Sequence, residues 1–168
     1  MSYASHKQDA KHVTARCAII TLSDTRTEAT DTSGALIREL LTSAGHEIAH
    51  YQIIPDEPRQ LGTLLHSLLA REDVDAILTN GGTGISRRDQ TIAVIEQTIE
   101  RSLPGFGELF RMLSFEQIGS GAMLSRAVGG IARGKVIFAM PGSTKAVELA
   151  MTRLILPELG HLLHELRK

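Results

Sequence analysis

The chain has no tryptophan, and aromatic residues make up only 4% of it. A core must therefore be assembled from Leu, Ile, Val and Ala. There is a single cysteine, Cys17, which excludes an internal disulfide and any multi-cysteine zinc site. Its apolar neighbours mark it as a small buried residue. A charge excess is also missing: 18 Lys and Arg face 19 Asp and Glu, for a net charge of -1. Binding along a phosphate backbone needs a strong basic surplus, so nucleic acid is not expected as the main partner. No run approaches the roughly 20 apolar residues of a membrane span, and the stretch from Met1 to Thr14 carries no apolar segment of signal-peptide length. A cytoplasmic protein is expected, with no membrane partner. At 168 residues one domain can bury roughly 70% of its unfolded surface and needs no staple.

What is present is an alternation. Residues 1–14 are polar and read as a flexible arm, leaving 15–168 as a single domain. Ala18 to Leu22 is a short β-branched run of the kind buried on both faces of a sheet. A polar loop, Ser23 to Ser33, leads to a helix expected over about Gly34–Ala44, with Leu36, Ile37, Leu40 and Leu41 on one face. Glu47–Ile54 suits a second strand, and Leu61, Leu64, Leu65 and Leu68 mark a second helix. Ala76–Thr79 is a third buried strand, followed by a helix expected to start near Asp89. Phe106, Leu109, Phe110 and Leu113 give another helical face. Val136–Met140 is the last clear strand, and a final helix is interrupted by Pro157. The segment between Gly119 and Gly130 has no assignable pattern. Strands that alternate with helices imply βαβ units. The expected fold is therefore a three-layer α/β domain, a mostly parallel sheet with helices on both faces. Ligands of such sheets bind beyond the carboxyl ends of the strands.

The loops at those ends carry unusual residues. Gly81, Gly82 and Gly84 expose backbone amides that suit a phosphate, and Thr83 adds a hydroxyl; a tight strand-to-helix turn wants the same glycines. Asp89 reads as a helix cap and Asp56 as a turn residue when each is taken alone. Together, on loops that converge at one sheet edge, they would repel a phosphate unless a cation lay between, which suggests Mg²⁺ held by carboxylates and substrate phosphates. Ser23, Asp24, Asp31 and Ser33 offer polar contacts or are simply solvated. Ser143, with Thr144 and Lys145, follows Pro141 and Gly142 and either receives a second anion or caps a helix. Arg87 and Arg88 pin phosphates or lie in solvent.

The ordered set Asn80-Gly81-Gly82-Thr83-Gly84 with Arg88-Asp89, then Pro104-Gly105-Phe106-Gly107-Glu108, Leu124-Ser125-Arg126 and Pro141-Gly142-Ser143 resembles the MoaB/MogA family, which has the molybdopterin-binding fold. The likeness covers about residues 15–157. Met140 to Ser143 and Phe110 to Glu116 look more like the MoaB branch. The resemblance implies adenylylation of molybdopterin by ATP with Mg²⁺, with Asp56 and Asp89 as the catalytic pair that also serves the metal. It implies contacts to the pterin or nucleotide from Ser23, Asp24, Gly81, Gly82, Thr83, Gly84, Arg88, Pro141, Gly142 and Ser143. It further implies a homo-oligomer, a trimer or hexamer. The first loop departs from the family pattern: Ser23-Asp24 is followed by Thr25 before Arg26. A non-catalytic molybdopterin carrier of the same pathway is the alternative, and a flavodoxin-like regulatory domain without pterin is a third reading.

Overall fold

The computed structural model describes residues 13–168. Of the arm expected at 1–14, only Val13 and Thr14 fall among them; Val13 packs against the core, and the rest lies outside the described residues.

Six strands form one sheet: β1 (Arg16–Leu22), β2 (Glu47–Ile54), β3 (Ala76–Asn80), β4 (Arg101–Ser102), β5 (Val128–Ala132) and β6 (Lys135–Met140). Their spatial order is β2-β1-β3-β6-β5-β4. The first four in that order run parallel, whereas β5 is antiparallel to both β6 and β4. The helices are α1 (Thr32–Ser43), α2 (Pro58–Ala70), α3 (Thr91–Thr98), α4 (Pro104–Ile118), α5 (Thr144–Ala150) and α6 (Leu156–Leu166).

Alternation along the strands divides the core in two. Cys17, Ile19, Leu78 and Phe138 face α1, α4, α5 and α6. Ala18, Ile20, Ile77 and Ile137 face α2 and α3. The arrangement is the expected three layers. Burial holds Cys17 as a thiol, its pKa pushed up to about 12.

Several local expectations are corrected. Helix α1 starts two residues early because Asp31 caps it, accepting from the Gly34 amide at 3.0 Å. Asp31 and Ser33 are buried and are not solvated loop residues. Helix α3 starts at Thr91, not near Asp89, because the Asp89 carboxylate turns back onto its own loop. Leu109 is exposed, on the outer side of α4. The unassigned segment is a 3₁₀ helix, Gly119–Leu124, followed by β5. Arg133 and Gly134, with φ of 48° and 72°, close the β5–β6 hairpin as a two-residue turn that needs positive φ at both positions. Pro157 does not break the last helix: a π turn at Met151–Ile155 joins α5 to α6 and puts the proline in the first turn of α6, where its missing N–H costs nothing.

Candidate functional site

The parallel strands β1, β2, β3 and β6 end on one edge, at Leu22, Ile54, Asn80 and Met140. The loops after β1, β3 and β6, joined by Leu124 and Ser125, line a cleft of about 510 Å³. Its floor is glycine because nothing larger fits. Gly81 has φ +97°, and a Cβ there would lie 2.3 Å from the Leu22 carbonyl. Gly82 has φ +63°, and a Cβ there would meet Thr91 Oγ1 at 2.1 Å.

The same crowding locates the two carboxylates. Asp56 Oδ1 lies 2.7 Å from where a Cβ of Gly82 would be, and Asp89 Oδ2 2.7 Å from that of Gly84. Both therefore rest on the glycine loop, within electrostatic reach of each other. Burial raises the pKa of Asp56, and the charges of Asp89 and Asp24 raise it further against the pull of Arg88. Asp89 is lowered, chiefly by the Ser86 side chain, with help from the Ser86 and Gly84 amides and the charge of Arg126. The Ser86 amide donates to Asp89 Oδ2 at 2.9 Å. The glycine loop is thus not a fully bare cradle. The Gly81 amide is bound to the Met140 carbonyl at 3.1 Å, and Asp89 sits at the anion position nearest Gly84.

Asp24 ties the first loop to the other two, accepting from the Asp56 amide at 3.2 Å and from Arg88 at 2.6 Å. Ser23 Oγ accepts from the Arg26 amide at 3.1 Å, a local turn that carries Arg26 into the cleft. The Arg26 guanidinium reaches the Gly142 carbonyl at 2.9 Å, Ser33 Oγ at 3.3 Å and Asp31 at 3.4 Å. Asp31 in turn accepts from Thr21 Oγ1 at 2.6 Å and Tyr51 Oη at 2.8 Å, and Asn80 donates to Thr21 Oγ1 at 2.9 Å. This chain links β3, β1 and β2 beneath the site. Burial and the Asp31 contact push the Tyr51 phenol up to about 12, so it stays a donor.

Of the residues expected at the site, Ser23, Gly81, Gly82, Thr83, Gly84, Asp89, Pro141 and Gly142 line the cleft. Asp24, Asp56 and Arg88 are joined to its rim. Ser143 caps α5, its hydroxyl accepting from the Ala146 amide at 3.2 Å; the capping alternative is the one realised. Sequence reading missed Arg26, Leu124 and Ser125 as lining residues and gave Arg126 no role. The departure at Thr25 was the only signal for Arg26. Among the described residues no group of three His, Cys, Asp or Glu side chains forms a ready metal cage. A divalent cation here would need oxygens from a bound phosphate, and the raised Asp56 beside the ionised Asp89 fits such a cation.

The fold is of the doubly wound α/β class, and residues 18–161 match the family model described as "Probable molybdopterin binding domain". Molybdenum cofactor biosynthesis protein B of Halalkalibacterium halodurans is 54% identical over 169 residues, 100% of this chain and 99% of that one. A crystal structure of a molybdenum cofactor biosynthesis protein B superposes with a TM-score of 0.90 at 53% identity, over 92% of this chain and 97% of the other. The tungsten cofactor synthesizing protein MoaB from Pyrococcus furiosus follows at 0.82 and 37%, over 92% and 98%. The chain belongs to the MoaB family of molybdenum cofactor biosynthesis proteins.

Proposed function

We propose that the cleft binds molybdopterin and ATP and adenylylates the pterin. The observation that carries this reading is the pair of carboxylates, Asp56 and Asp89, from separate loops on one glycine turn, with Asp56 raised by its acidic neighbours. An ionised Asp89 beside an Asp56 whose charged form is disfavoured suits a cation-bound polyphosphate better than a bare anion. The terminal phosphate of molybdopterin attacks the α-phosphorus of ATP; a P–O bond forms, the bond to the β-phosphate oxygen breaks, and pyrophosphate leaves. A phosphate monoester is largely dianionic at neutral pH, with a second pKa of about 6, so no general base is required. Mg²⁺, when bound, neutralises charge on the polyphosphate. Asp56 and Asp89 align it, Thr83 and the loop amides orient phosphate oxygens, and Arg88 balances charge at the rim. ATP as a substrate goes with a cytoplasmic location.

The test is pyrophosphate release with molybdopterin, ATP and Mg²⁺. Asp89→Asn should lower turnover by at least about 10²-fold while molybdopterin affinity changes little. A wild-type protein that binds molybdopterin tightly but releases no pyrophosphate would be a carrier.

A homo-oligomer belongs to the same reading. Leu109, Met112, Phe115 and Ile118 leave an apolar stripe on the outer face of α4, 46–61% exposed, and Met123 and Leu124 extend it. Contiguous apolar surface of this kind favours self-association. Light scattering checks it, and Phe115→Asp should shift the protein toward monomer.

A further inference from the structure

Arg126 has no part in the reading above, yet its side chain donates to three backbone carbonyls of the glycine loop and the stretch after it. It sits between the 3₁₀ helix and β5. Its Nε donates to the Thr83 carbonyl at 2.9 Å, and its terminal nitrogen donates to the Gly84 carbonyl and to the Asp89 carbonyl at 2.8 Å. These three acceptors bracket the stretch that carries Asp89 into the cleft. The bonds cross 37 to 43 residues of sequence, so nothing local dictates them. Among the described residues no carboxylate lies within ion-pair distance of this guanidinium, and the bonds of its Nε and one terminal nitrogen go to backbone.

A trans peptide carries its C=O and N–H on opposite sides. Turning the Thr83 and Gly84 carbonyls toward Arg126 therefore turns the Gly84 and Ile85 amides the other way. The Gly84 amide lies on the Asp89 carboxylate, and Asp89 lines the cleft. A planar fork with several fixed donors can hold three carbonyls at once; a lysine ammonium has no such fork.

We infer that Arg126 is a positioning residue: it clamps the 83–89 loop from behind so that Asp89 faces the cleft in a fixed orientation. The inference rests on Asp89 being the working carboxylate of the adenylylation reading, and it assigns to the Leu124-Ser125-Arg126 segment a task within that site. Arg126 need touch neither substrate.

The loop supplies its own probe, because Arg87 and Arg88 are exposed tryptic sites. Arg126→Ala and Arg126→Lys are compared with the wild type in limited trypsinolysis, read by mass spectrometry, and in steady-state kinetics with molybdopterin, ATP and Mg²⁺. Cleavage after Arg87 or Arg88 should speed up at least about fivefold in both variants, while cuts elsewhere in 13–168 stay at wild-type rates. Turnover should fall about ten- to hundredfold with the molybdopterin KM changed less than about threefold. Millimolar guanidinium should restore part of the rate to Arg126→Ala and none to Arg126→Lys. Unchanged cleavage at 87–88, accelerated cleavage throughout the chain, or a rate loss that guanidinium leaves untouched each overturns the inference. If the wild type releases no pyrophosphate, the adenylylation reading fails by itself, and the proteolysis pattern still decides whether Arg126 holds the loop.

Discussion

Asp75 and Asp56 stand at opposite ends of one sheet. Asp75 precedes β3 and is gripped by cations: the Arg16 amide, Nε and terminal nitrogen reach it at 2.9 Å each, and Arg167 adds a contact at 3.2 Å. Burial alone would raise its pKa, but the Arg16 bonds outweigh that and hold it at about 2. Asp56 follows β2. Burial and the charges of Asp89 and Asp24 raise it, and the nearby Arg88 is bonded to Asp24 instead. The first carboxylate supports the fold. The second strains it, and a folded chain gains nothing from such a group unless a ligand carries the missing positive charge. The contrast separates a structural acid from a site acid with the same chemistry.

Substitutions at the two positions should therefore fail in opposite ways. The largest effect is on turnover: Asp56→Asn should cost at least about 10²-fold in pyrophosphate release, while thermal unfolding shows equal or slightly higher stability, because a repulsion has gone. A clear drop in Tm for this variant would break the comparison. Asp75→Asn should do the reverse, lowering stability by about 1–2 kcal/mol after solvent screening is allowed for and leaving kcat unchanged. Its signature is pH dependence. A carboxylate with a depressed pKa stabilises fully above its unfolded value of about 4 and loses that stabilisation as pH falls through the folded value, here about 2. Unfolding curves between pH 4 and pH 2 should be flatter for Asp75→Asn than for the wild type. Asp56 has the opposite sign, since its ionisation costs stability as pH rises through a raised pKa.

Much of this was legible in the sequence where the signal was local. The strands buried on both faces announce themselves as apolar runs, as at Ala76 to Asn80, all buried. Gly81, Gly82 and Asp89 stand in one loop and Asp56 in another, and the alternation of strands and helices brings those loops to one edge. What escaped depends on contacts distant in sequence. Gly129 and Gly130 border the segment with no assignable pattern, yet they are strand residues because Phe138 and Ile99 fill the space a side chain would take. Asp31 looked like a loop residue because its donors Thr21 and Tyr51 lie 10 and 20 positions away. Arg126 was silent because its acceptors are backbone carbonyls, which every residue has. Pro157 misled for a related reason: the π turn that admits it leaves no mark in composition.

Gly142 and Gly81 have one more consequence. A methyl group on Gly142 would come within 3.0 Å of the Gly81 Cα, and the Gly81 amide already hangs from the Met140 carbonyl. The turn after β3 and the turn after β6 are thus pressed together like two leaves of one spring. Neither can be enlarged or shifted without the other yielding. Drift along this lineage should then be paired at the two turns, and transplanting one of them from a relative into this chain should work only when its companion travels with it.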